Sequence, residues 1–122
     1  MAANGRVVVG CSHGEEDPDS VAVAYLTAGA ALDQGKEVVL WLTKDGVRLG
    51  LQGYAEPIRA EQDPPVARLH AQFAEKGGRF YVCPVCFKDR DLDEGDLVEG
   101  AELKGATPLM EFAADGALTF TY

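Results

Sequence analysis

Apolar residues in this chain fall into short β-branched runs separated by longer stretches with helical spacing. Arg6–Cys11 (Arg-Val-Val-Val-Gly-Cys) carries three consecutive valines, the composition of a strand covered on both faces. Glu37–Leu42 (Glu-Val-Val-Leu-Trp-Leu) and Arg79–Val82 have the same character, and Glu102-Leu103 gives a short fourth strand. Ala117–Tyr122 differs. Leu118, Phe120 and Tyr122 alternate there with Thr119 and Thr121, which predicts an edge strand half open to solvent.

Helices are expected between these strands. Asp17 is a good N-cap and Pro18 suits the first helical position, so a helix is predicted from Pro18 to Gln34, ended by Gly35. From Val21 to Leu32 only Thr27 is polar, so this helix needs cover on nearly every side. The sheet takes one face. Ala24, Ala28, Gly29 and Ala31 permit close approach on the other, and a homo-oligomer formed through this helix is expected. Val66, Leu69, Phe73 and Ala74 mark one face of a helix over Val66–Lys76, stopped by Gly77-Gly78. A short helix is expected over Val47–Leu51, a helical turn over Asp93–Val98, and a last helix capped by Thr107-Pro108 and running to Ala114. Tyr54–Pro65 holds three of the six prolines and reads as an irregular loop.

This order predicts a doubly wound α/β fold: a mainly parallel five-stranded sheet with helices on both faces. The 122 residues suit a single domain over 1–122. Placing strand 1 beside strand 3 would bring together two carboxyl-end loops, one with Cys11 and His13, the other with Cys83 and Cys86.

The formal net charge of −9 argues against a nucleic-acid or anionic-membrane partner. No run approaches the ~20 apolar residues of a membrane span, and the first residues lack the charged and apolar regions of a secretory signal. A cytoplasmic protein is expected. From Lys88 to Glu102 seven acidic residues face two basic ones, the composition of a solvated face or of a lip for a basic partner.

Two of the three cysteines lie in Cys83-Pro84-Val85-Cys86, at the carboxyl end of the third strand, where open α/β sheets gather their chemistry. A close thiol pair in a reducing compartment suits sulfur transfer, dithiol–disulfide exchange or metal binding. In sulfur relay Cys83 carries a persulfide and Cys86 resolves or holds it, with His13 as a base beside them, a ligand or a plain loop residue. In the metal alternative Cys11, His13, Cys83 and Cys86 supply four ligands suited to tetrahedral zinc; otherwise no cofactor is expected. A non-catalytic oligomeric module is the third possibility. His70 belongs to its helix's apolar side and is expected to be structural. Gly10-Cys11-Ser12-His13-Gly14 lacks the residues of a phosphate loop.

With these elements in order, the chain resembles the DsrE/DsrF-like family of small sulfur-relay proteins. The landmarks are Val7-Val8-Val9-Gly10 leading to the Asp17-Pro18 helix, Val38–Leu42 followed by Asp45-Gly46-Val47, and Phe80-Tyr81-Val82-Cys83. In TusD-type members the sulfur-carrying cysteine ends such a strand and is followed by small residues and then Arg-Gly. Cys83 corresponds to that cysteine and Arg90 falls near the arginine. Pro84–Lys88 replace the small residues, and Asp91 stands where the glycine would be. The resemblance implies a three-layer flavodoxin-like fold and a homotrimer or homohexamer. It also implies a persulfide on Cys83, received from one protein and handed to another.

Overall fold

The computed structural model describes residues 4–122. Five strands form one all-parallel sheet: β1 (Arg6–Cys11), β2 (Glu37–Leu42), β3 (Arg79–Val82), β4 (Ala101–Leu103) and β5 (Leu118–Thr121). Four α-helices connect them: α1 (Pro18–Asp33), α2 (Val66–Glu75), α3 (Pro84–Asp89) and α4 (Ala106–Ala113). A 3₁₀ helix covers Lys44–Gly50, three residues earlier than the expected helix, and a short 3₁₀ turn covers Glu94–Asp96.

The spatial order is β4-β3-β2-β1-β5. The expected neighbours, strand 1 and strand 3, are therefore separated by β2. The reason is the direction of the walk. From β1 to β4 the chain steps one strand at a time the same way, so right-handed crossovers put α1, α2 and α3 on one face. Only α4 crosses the other face, carrying the chain back to β5 beside β1. The reversal of strand order thus lies between β1 and β5, two strands away from Cys83.

The period of two along each strand sorts the side chains between these layers. Val7, Val9, Leu40, Leu42, Phe80 and Val82 pack under α1 and α2 with Tyr25, Leu69 and Phe73. Val8, Val39 and Tyr81 point the other way and meet Leu109 and Phe112 of α4. Both sheet faces are covered, as the valine-rich runs require.

Helix ends follow from their local residues. Asp17 accepts from the Ser20 backbone N–H at 3.2 Å and from its hydroxyl at 2.7 Å, capping α1. At the other end Gly35 has φ 79, and the N–H groups of Gly35 and Lys36 return to the carbonyls of Leu32 and Ala31. This is a Schellman closure, and the left-handed residue it needs is why glycine stands there. α4 departs from expectation. Gly105, not Thr107, is its N-cap, and Pro108 sits in the first turn, where no backbone N–H is needed.

α1 is covered by the sheet and, on its flank, by α2: Tyr25 packs against His70 and Phe73. The chain itself therefore buries more of this helix than its composition suggested. An outer stripe stays open, with Val23 39% and Leu26 41% exposed. Leu118 and Phe120 of β5 are in register with Val7 and Val9, on the same side, and are 47% and 42% exposed. No helix among the described residues is long and apolar enough to cross a membrane.

Candidate functional site

β3 ends at Val82 and α3 begins at Pro84, so Cys83 is the hinge between them. Its N–H donates to the Leu42 carbonyl at 2.9 Å, the last rung of the ladder with β2. Its carbonyl accepts from the Phe87 N–H at 3.0 Å, the first bond of the helix. Cys83 is thus the N-cap of α3 and Cys86 lies in its first turn. The pair straddles a strand-to-helix junction where a loop was expected. Pro84 suits the first position because its missing N–H would have no acceptor there.

α3 is only six residues long and is anchored by Phe87, which is buried in the main core. Cys83 and Cys86 are partly buried against that core, while Val85 between them is 68% exposed. Both thiols are free. β4 runs on the far side: the Lys104 N–H donates to the Val82 carbonyl, and Gly105 passes close to Pro84.

The loop after β2 supplies the other wall. Arg90, the C-cap of α3, donates from Nε to Asp45 Oδ1 at 3.0 Å and from Nη1 to the Cys86 carbonyl at 3.1 Å. Arg48 donates to the same Asp45 oxygen at 2.9 Å. The hydrogen bond from Arg90, reinforced by the charges of both guanidinium groups, holds the Asp45 carboxyl below its usual range. Asp91, which follows, has φ 53. That left-handed conformation is natural for glycine and tolerated by Asp.

Cys11 is a different kind of thiol. It is buried at the end of β1 and donates to the His13 carbonyl at 3.4 Å. Burial pushes it up to about 11, with the Glu16 and Asp17 charges adding to the effect. A thiol of that kind is inert. His13 is held by its own loop, with Nδ1 2.7 Å from Glu16 Oε2. Burial acts to raise Glu16, but the Gly14 N–H and His13 overcome it and the carboxyl lies below its usual range. β2 stands between the loop of Cys11 and His13 and the loop of Cys83 and Cys86. The four zinc ligands suggested by the sequence are therefore not brought together. Among the described residues no group of three or more His, Cys, Asp or Glu side chains is arranged to hold a metal ion. His70 is structural, as expected, stacked on Phe80.

Sequence reasoning missed the Asp45–Arg48–Arg90 cluster. Asp45 and Arg90 are 45 positions apart, and only the packing of α3 on the Lys44–Gly50 helix joins them.

The model of the DsrE/DsrF-like family matches residues 6–122. An uncharacterized protein of Methanopyrus kandleri, MK0008, is 38% identical over 73 residues, 60% of this chain and 57% of its own length. MJ0760, an uncharacterized protein of Methanocaldococcus jannaschii, is 25% identical over 99 residues, 81% of this chain and 36% of its own. The chain therefore spans well under two thirds of either relative. Among solved structures, the ychN protein from E. coli superposes with a TM-score of 0.75 at 17% identity, covering 96% of this chain and 99% of that one. MTH1491 from Methanobacterium thermoautotrophicum, described as a protein of unknown function, gives 0.64 at 17% identity, covering 96% and 98%. These likenesses establish the same α/β architecture.

Proposed function

The chain belongs to the DsrE/DsrF-like family, and on that premise we propose that it carries sulfur as a persulfide, with Cys83 as the accepting thiol and Cys86 as its partner. Family membership points to sulfur-relay-related chemistry. The observation that supports Cys83 is its position: a partly exposed thiol at the carboxyl end of an interior strand and the start of a helix. Cys11, the remaining thiol, is sealed in the core.

In this scheme the Cys83 thiolate attacks the terminal sulfur of a donor persulfide. A new S–S bond forms on Cys83, and the donor leaves as its thiolate. Handing on repeats the step with an acceptor thiolate. The chain is a sulfurtransferase-like carrier. Donor and acceptor are proteins, met over the surface around Val85 in the cytoplasm. The open stripe of Val23 and Leu26, continued by Leu118 and Phe120, supports a homo-oligomer, a trimer or a hexamer, in which these residues are covered.

Intact mass of the unreduced protein after exposure to a low-molecular-weight persulfide donor tests the reading. A gain of one sulfur, reversed by reductant and absent in Cys83→Ser, is the expected result. Uptake that survives in Cys83→Ser, or none in Cys86→Ser, where nothing can resolve the persulfide, overturns it. Loss of two hydrogens in the wild type together with no sulfur gained in Cys86→Ser assigns the pair to dithiol–disulfide exchange instead.

A further inference from the structure

Arg90 reaches back from the end of α3 to the Cys86 carbonyl. The Arg90 backbone N–H turns to the carbonyls of Phe87 and Lys88. That leaves the Cys86 carbonyl to the Arg90 side chain, one of the helix-end acceptors that need an outside donor. The same guanidinium is pinned by Asp45. Asp45 in turn belongs to a turn pressed onto the sheet's carboxyl end: a Cβ on Gly46 would strike the Cys11 carbonyl. The backbone of Cys86 is thus tied through two side chains to the loop after β2. A disulfide sets its Cβ atoms about 3.5–4.5 Å apart with a fixed dihedral, and Cys83 joins the pair from the extended N-cap, outside the helix that holds Cys86. Closure therefore asks the first turn to adjust to that geometry, and the tie on Cys86 resists adjustment.

We propose that Asp45 and Arg90 form a clamp on the first turn of α3 that slows closure of a Cys83–Cys86 bridge, so that sulfur on Cys83 is kept for transfer. The proposal rests on the carrier reading above. The reaction it restrains is balanced within the protein. The Cys86 thiolate attacks the Cys83 sulfur of the persulfide, the new S–S bond forms, and the bond to the terminal sulfur breaks. Hydrosulfide leaves with the electron pair. Arg90 and Asp45 are positioning residues here and exchange no proton or sulfur.

The test measures the rate of bridge closure in the full chain with glutathione disulfide, each closure consuming one molecule and releasing two glutathione thiols. The proteins are wild type, Asp45→Asn, Arg90→Lys and, as control, Arg68→Gln on the exposed side of α2, at a temperature where circular dichroism shows all four folded. Arg90→Lys keeps the charge but loses the forked geometry that serves two acceptors at once. Closure about tenfold faster in Asp45→Asn and Arg90→Lys, with Arg68→Gln close to wild type, is the expected outcome, matching the loss of one charge-assisted hydrogen bond. Persulfide-loaded Arg90→Lys should release sulfide faster by a similar factor. A purely structural role would lower the melting temperature without changing closure. Unchanged or slower closure in Arg90→Lys overturns the clamp. The closure arm needs no sulfur, so it decides the clamp separately from the sulfur-uptake comparison that decides the carrier.

Discussion

The Tyr25 hydroxyl lies 2.7 Å from Nδ1 of His70, joining α1 to α2 over the main core. The His70 ring also stacks on Phe80 with centroids 4.8 Å apart. Burial holds its pKa below the ordinary 6.5. The unfolded chain therefore binds more protons than the folded one between that lowered value and about 6.5. This contribution to stability is complete above about pH 6.5 and declines as pH falls through that window. The urea midpoint of the wild type should fall between about pH 7 and pH 5, and His70→Gln should flatten that slope. An equal slope in the variant would show that the histidine is not the group responsible.

The two classes of thiol should separate chemically. Iodoacetamide at about pH 8 is expected to label Cys83 and Cys86 in the native protein and to reach Cys11 only after denaturation. Peptide mapping reads the difference directly. Labelling of Cys11 at the rate of the pair would contradict its burial. The raised pKa of about 11 for Cys11, against 9.0 ordinarily, carries its own sign. Its contribution to stability is complete below pH 9 and is lost as pH rises towards 11.

Gly46→Ala should be costly despite adding one methyl group, because the new carbon meets the Cys11 carbonyl and the loop must shift. A destabilisation of about 1–3 kcal/mol is expected from such overpacking, measured as a lower denaturant midpoint with unchanged slope. Gly53→Ala makes a useful contrast. It meets no neighbouring atom but sits at φ 79, so its cost is backbone strain alone.

The exposed pair on β5 gives the oligomer proposal its own check. Phe120→Asp places a charge on the edge strand without touching the buried core, so the fold should persist. Light scattering after size exclusion should then report a smaller particle than the wild type. A wild type that runs as a monomer would remove the proposal.

Much of the architecture was legible in the residues. β1, β2 and β3 carry unbroken apolar runs, and Asp17-Pro18 and Gly35 mark the ends of α1. Strand order was not legible, because a parallel sheet stores it in crossover direction and not in any one strand's composition. α3 escaped for another reason. At six residues it is too short for a helical repeat to show, and the Cys-x-x-Cys at its start reads equally well as a loop. The candidate site was half visible. Cys-x-x-Cys announces itself at short range, whereas Asp45 meets Arg90 only through tertiary packing. The zinc set failed on the same point, since residue types near strand ends say nothing about which strands are neighbours.

β5 has a consequence for how this molecule is made. β1 needs β2 on one side and β5 on the other, and β5 leaves the ribosome more than a hundred residues after β1. Until then the valine-rich strand presents a bare hydrogen-bonding edge, the kind that invites pairing between nascent chains. Such long-range closure is also slow. The last strand therefore acts as the seal of the sheet, and damage to it should show first as poor yield and aggregation.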